Sequence, residues 1–414
     1  MKLLKITLLL SLFVIAKGYS QKNNENFLNI NDIERLSKNE SNGLKEMFKD
    51  KTVVMLGEPS HFDGAIFKAK IDLIKWLHEN LGFDVILFES GFYDVNLGYK
   101  NSKNDSALQK EMSKVLLEFW KDSKELMELF KYVDKFKSTK NPIEIDGFDS
   151  QITSSYSLSI ADDFDLALNE KKSIITKHKY YNRFKNNLKD FLTLEKEGAG
   201  FKQTAKDSLS IFLEFIANDL ESSETKNGLR LAQTARSIES QIMTSSSIPY
   251  VMKQGIEFIA NYNNIRDRQM AENIKWLIKN NYQGKKVIIW AANTHIARNL
   301  VDLKSSDDKA IYSGYTTMGD YLKKSFGEQL YALGFTASEG TIYGENNKPV
   351  ELKVDKNSLE FSLSKTSSDY GILKPNQSLS GMSLYTFGYS PVKTQNKQLF
   401  DGIFYVRKMY LPIK

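Results

Sequence analysis

Apolar residues in this chain arrive in two rhythms, and the places where the rhythm changes mark its architecture. Val53-Val54-Met55-Leu56 is a continuous apolar run closed by Gly57, the pattern of a strand buried on both faces. From Gly64 the period lengthens. Phe67, Ile71, Ile74, Leu77 and Leu81 fall three or four apart, which makes one apolar helix face, and Gly82 ends it. Asp84 to Phe88 then predicts a second buried strand. Strand, helix and strand in this order predict two parallel strands joined by a right-handed crossover. Ligands in such sheets gather at the C-terminal strand ends. Glu58 ends the first strand, His61 lies in the turn after it, and Glu89 ends the second.

The pattern continues along the chain. Residues 33–49 predict a short helix, and 95–110 read as a loop rich in Asn, Ser and Lys. Helical spacing over 111–137 runs through Met112, Val115, Leu116, Phe119, Leu126, Leu129 and Val133, and Asn141-Pro142 breaks it. Residues 143–149 are a third strand ending on a carboxylate. Residues 157–250 differ: charged, helical in period and poor in strand runs. They predict a helical insertion packed over the sheet edge as a cap, with outer helices of the same domain as the other reading. A long helix over 251–281 returns to the core. A strand at 286–291, a helix near 318–325 and a strand at 329–336 follow. Residues 345–400 are loop-rich, with short alternating segments that fit hairpins, and Phe400–Val406 could add an edge strand. The expected fold is α/β: a mostly parallel central sheet flanked by helices, built from residues 21–156 and 251–414 around the insertion.

The N-terminus changes the picture. Lys2 and Lys5 precede an apolar run from Ile6 to Ala16, and small or polar residues follow to Gln21. That is the pattern of a secretory signal peptide over residues 1–20, and the run is too short to span a bilayer. The expectation is an exported protein, periplasmic or secreted, with no stable membrane anchor after cleavage. With Lys2, Lys5 and Lys17 removed, the net charge falls from +6 to +3, which makes no case for nucleic-acid binding. The chain has no cysteine, so disulfides and thiolate metal sites are excluded and stability must come from core burial.

Histidine is rare: His61, His78, His178 and His295. His61 and His295 follow core strands, whereas His78 on a helix and His178 in the basic insertion suit surface roles. Two histidines with Glu58 and Glu89 at one sheet edge point to a site. Asp146 and Asp149 either join it or cap the next helix. Ester cleavage needs a base to activate water and groups to stabilise an oxyanion. His61 suits the base, with Glu58 or Glu89 to fix its tautomer. Lys70 can project back as the cation, and His295 can donate to a carbonyl oxygen. No G-x-S-x-G elbow is present, so a serine nucleophile is not indicated.

At these residues the chain resembles the erythromycin esterase family. Gly57-Glu58-Pro59-Ser60-His61 looks like the family's GE-x-x-H signature. The resemblance continues through Gly82-Phe83, Phe88-Glu89, Gly147-Phe148-Asp149, Arg266-Asp267-x-x-Met270, Trp290-Ala291-x-Asn293-x-His295 and Met318-Gly319, and ends at Phe400-Asp401. It implies an α/β core and hydrolysis of a small-molecule ester or lactone. His61 takes the place of the family's essential histidine, and Glu58 and Glu89 its acidic partners. Asp149, Arg266, Asp267 and Asn293 are the expected substrate-binding residues. Lys70 stands where the family usually has arginine, Ala292 where it often has a first histidine, and Phe62 where glycine usually follows His61. No cofactor is expected. A divalent metal is the alternative, since Glu58, His61, Glu89 and His295 are acceptable ligands for Zn or Fe. A secreted, non-catalytic small-ligand-binding protein is the other.

Overall fold

The computed structural model describes residues 26–104, 107–196, 203–245, 256–305, 309–344, 347–375, 382–393 and 398–414. The signal-peptide expectation lies outside them, as does the expected start of the long helix at 251. The strands are β1 (Phe27–Ile30), β2 (Val53–Leu56), β3 (Phe83–Gly91), β4 (Glu144–Asp149), β5 (Lys286–Trp290) and β6 (Lys304–Ser305). They continue with β7 (Leu330–Tyr343), β8 (Pro349–Glu351), β9 (Tyr370–Leu373), β10 (Ser383–Phe387), β11 (Ser390–Lys393) and β12 (Gly402–Met409). Nine form the main sheet, in the order β1-β9-β12-β7-β2-β5-β3-β4 with β8 beside β7. All neighbours from β12 to β4 are parallel, and β1, β8 and β9 pair antiparallel. The expected α/β architecture is the one observed.

Both faces of the sheet are buried, and the strands divide their side chains between two cores with period two. Val54, Leu56, Ile86, Phe88, Ile288 and Trp290 point to one core with the helix Gly64–Leu81. Val53, Met55, Val85, Leu87, Val287 and Ile289 point to the other, against the helices Ile256–Asn280 and Met318–Phe326. The helix Gly64–Leu81 ends as its sequence demands, at Gly82 with φ 69°.

β2 and β3 are parallel, as expected, and β5 lies between them. Several other expectations are corrected. β12 is not an edge strand; it lies between β7 and β9. Residues 95–104 of the expected loop are helical, in a helix that spans Phe92–Asn104. The helix expected over 111–137 is three pieces, Leu108–Val115, Glu118–Lys121 and Lys124–Phe136. It breaks where Leu116 turns extended (ψ 157°) and Leu117 N–H docks on the Ser90 hydroxyl at 3.3 Å. His78 is buried, bonded to the Tyr132 hydroxyl and the Asn141 carbonyl.

The helices within 157–245 carry a core of their own around Phe164, Leu188, Phe191, Leu213 and Ile238. The helix Lys226–Ser245 joins them to the sheet. Arg230 forks onto both oxygens of buried Asp146 (2.6 and 3.0 Å), and Gln233 and Ser237 both bond Asn273. Among the described residues no helix is long and apolar enough to cross a membrane.

Candidate active site

The strand order reverses around β2 and β5, and in open parallel sheets the crevice outside such a reversal is the usual ligand site. Every candidate residue from a strand end lies there. Glu58 follows β2, Glu89 lies in the last turn of β3, Asp149 ends β4, and Asn293 and His295 follow β5. The residues form two clusters.

The first is built on Glu58, which is fully buried. Its Oε1 faces His61 Nδ1 at 2.9 Å and accepts from Trp120 Nε1 at 3.0 Å, while its Oε2 accepts from Lys70 Nζ at 2.8 Å. A carboxylate is an acceptor only, so in the neutral imidazole Nδ1 carries the proton and Nε2 the lone pair. The His61 side chain is 31% exposed, against 0% for Glu58. Its ring stacks on Phe119 with centroids 4.2 Å apart and 5° between planes, and meets Trp120 edge-on at 5.6 Å. One short helix, Glu118–Lys121, therefore supplies both aromatic partners. Lys70 has no exposed surface and lies 4.0 Å from the centre of the Trp290 ring. Burial lowers its pKa to about 8, with Glu58 opposing the shift. It is the carboxylate's counter-ion inside the protein, not a cation open to solvent.

The second cluster is built on Glu89. Its Oε2 accepts from Ala292 N–H at 2.9 Å, and its Oε1 takes Arg266 Nη2 at 2.8 Å and faces His295 Nε2 at 3.2 Å. Burial raises the Glu89 pKa, but the His295 and Arg266 charges outweigh it and hold the carboxyl well below its ordinary range. Arg266 also donates to both oxygens of Asp149, at 3.2 and 2.6 Å. His295 Nδ1 meets Asp267 Oδ1 at 2.8 Å. The other Asp267 oxygen accepts from the Tyr315 hydroxyl (2.9 Å) and from Met318 N–H (2.8 Å) at a helix N-terminus. Burial alone would lower the His295 pKa, but Asp267 and Glu89 raise it to about 10. His295 is thus an imidazolium with a carboxylate at each nitrogen. Arg266 Nη1 lies 3.1 Å from its Nε2, a donor facing a donor.

The remaining expectations sort by geometry. Asp149 belongs to the second cluster and Asp146 to the anchor of the helical segment. Asn293 spends its amide on backbone: it donates to the Phe335 and Thr386 carbonyls and accepts from Phe335 N–H. That approach needs Gly57, where a Cβ would meet the Asn293 oxygen at 2.0 Å. Glu58 rather than Glu89 fixes the His61 tautomer. Among the described residues no group of three or more carboxylates and imidazoles is arranged to hold a metal ion. Sequence reasoning missed Phe119, Trp120 and Tyr315. Phe119 was readable as an apolar helix position, but only the break at Leu116 turns it toward His61.

Residues 78–407 match the family model for erythromycin esterase. The chain belongs to the erythromycin esterase family. The matched segment begins after Glu58, His61 and Lys70 and takes in Glu89, Asp149, Arg266, Asp267 and His295. Among its relatives, the putative hydrolase YbfO of Bacillus subtilis (strain 168) is 28% identical over 388 residues, 88% of this chain and 85% of that protein. Erythromycin esterase type II of Escherichia coli is 24% identical, with 88% of this chain and 91% of that one covered. Two solved structures share the fold. A succinoglycan biosynthesis protein superposes with a TM-score of 0.72 at 18% identity, covering 94% of this chain and 95% of that one. An erythromycin esterase mutant in its open conformation gives 0.68 at 15% identity, covering 94% and 98%. Membership of this family points to hydrolase activity for this erythromycin esterase relative.

Proposed function

We propose that the protein hydrolyses a carboxylic ester or lactone with water activated by His61. The observation that carries this reading is the His61–Glu58–Lys70 relay: a part-exposed imidazole whose Nδ1 is held by a buried carboxylate that is itself held by a buried ammonium. Nε2 takes a proton from water as the oxygen attacks the carbonyl carbon. The tetrahedral intermediate collapses, the C–O bond breaks, and Nε2 returns the proton to the leaving alkoxide. Glu58 stabilises the imidazolium formed in between. Arg266 is the group best suited to the developing oxyanion, because its Nη1 has no carboxylate partner while Nε and Nη2 do. His295 has both nitrogens on carboxylates and keeps Arg266 and Glu89 in register. The N-terminal pattern adds that this chemistry takes place outside the cytoplasm.

The test is hydrolysis of a panel of lactones, macrolides and simple esters by purified protein, with and without chelator, beside His61→Asn. General-base catalysis contributes ~10²–10⁴-fold, so the variant should fold and lose that much of kcat while keeping KM. An active His61→Asn protein refutes the assignment. Activity abolished by chelation and restored by Zn moves His61 and Glu58 into a metal site.

A further inference from the structure

Phe62, Phe119, Tyr343 and Pro412 line a cavity of about 310 Å³. Phe119 belongs to this cavity and to the site at once, because the ring that lines it is the one stacked on His61. Phe62, the residue after His61, meets Phe119 edge-on at 5.8 Å and Tyr343 at 5.2 Å. The three rings are each only partly buried and so keep surface for a ligand. Charged groups stand around them: Glu118 and Asp122 against Lys414.

We propose that this cavity is the subsite for an uncharged aryl or arylalkyl group of a small ester, and that Phe62 sets its size. The inference rests on the hydrolase reading and names the substrate class for it. Three features select the class. Aromatic walls reward a flat apolar ring, since edge and offset contacts add to the area they bury. The volume is about twice the ~150 Å³ that takes up benzene, and at the lower limit of ordinary ligand pockets, about 300 Å³. It holds one ring with a short linker. Two carboxylates against one ammonium disfavour an anionic group. A ring seated against Phe119 stands across that one side chain from the His61 imidazole, so the linker has to carry the ester past Phe119 to reach the site.

The experiment compares benzyl acetate with butyl acetate in wild type, Phe62→Gly and Phe62→Leu. Wild type should favour benzyl acetate at least about tenfold in kcat/KM, a discrimination of the size one apolar contact supplies. Phe62→Gly should bring the ratio close to one through KM, and Phe62→Leu should fall between, each with a wild-type circular dichroism spectrum. A wild type that cleaves both esters alike, or a ratio untouched by Phe62→Gly, overturns the subsite and leaves the hydrolase reading standing. If wild type cleaves no ester at all, that reading fails. Saturable binding of benzyl alcohol, measured by ligand-observed NMR and lost in Phe62→Gly, then supports the aryl site alone, and no binding overturns it too.

Discussion

Lys70→Met removes the ammonium and keeps the length and apolar stem of the side chain. In the native protein that ammonium is held at a cost. Burial brings its pKa from 10.5 to about 8, so keeping the proton on at neutral pH costs roughly 3 kcal/mol relative to the unfolded chain. That figure is what remains after the attraction of Glu58, whose Oε2 lies 2.8 Å from Nζ in a place without solvent. Methionine removes the ammonium and leaves Glu58 without its cation, and removing one partner of a buried pair costs, on balance, about 3–5 kcal/mol. Lys70→Met should therefore be destabilised by about that much, measured as a lower urea midpoint. Activity should drop on the order of 10²-fold, since the carboxylate that orients His61 has lost the partner that holds its second oxygen. Adding Glu58→Gln should recover most of the stability and none of the activity, because the pair then disappears as a unit. The pH dependence follows from the sign of the shift. The Lys70 pKa is lower in the folded state, so between about 8 and 10.5 the unfolded chain binds more protons and this group makes stability rise with pH. Lys70→Met should lose that rise. A single variant as stable and active as wild type, or strictly additive losses in the double variant, would refute the pairing.

Three further outcomes are expected. His295 has a pKa raised to about 10, so its contribution to stability is complete below its ordinary 6.5 and is lost as pH climbs through 10; in Asp267→Asn the imidazole should titrate well below 10 by NMR, with the alkaline loss starting earlier. Arg230→Met should cost about 3–5 kcal/mol by stranding buried Asp146, and should speed proteolysis within 157–245; cleavage at the wild-type rate would show that Arg230 does not hold these helices. Exported protein should begin near Gln21 by N-terminal sequencing, and a mature chain starting at Met1 would sink the signal-peptide proposal.

The part of this architecture that the sequence displays is the part made by local periodicity. The β2–helix–β3 unit is legible because four apolar residues, a 3.6-residue face and Gly82 say the same thing in succession. The placement of β5 between β2 and β3 is not, since no local signal ranks one parallel neighbour over another. The break at Leu116 was hidden for a different reason. Leu116 and Leu117 continue an apolar helix pattern, and what ends the helix is a tertiary contact with Ser90 across the sheet edge. With that break went Phe119 and Trp120. The Glu58–His61 pair was readable because three residues in one turn keep two side chains together. Glu89 and His295 were readable as strand-end residues and Asp149 as one of two readings, whereas Arg266 and Asp267 became readable only through the ordered family motifs.

Glu58 and Glu89 stand at the ends of the two strands that flank β5, with an imidazole each, yet only one of the two histidines is suited to be a base. The difference lies in how many acids each ring meets. His61 meets one, through Nδ1, on a side chain that is 31% exposed. His295 meets two, is 9% exposed, and holds its proton to about pH 10. A ring that never releases its proton at neutral pH cannot take one from water, whereas it can serve as a fixed charge. Glu58 spends its remaining oxygen on a lysine that never reaches solvent, so its charge is balanced without a second contact to the imidazole. Glu89 spends its own on Arg266 and on the Ala292 N–H, which ties β3 to the loop after β5. The same residue type at the same sheet edge thus supports a proton acceptor on one side of β5 and a rigid ionic frame on the other. The prediction for Asp267→Asn separates the two roles: it should change how the frame titrates and leave the His61–Glu58 geometry in place.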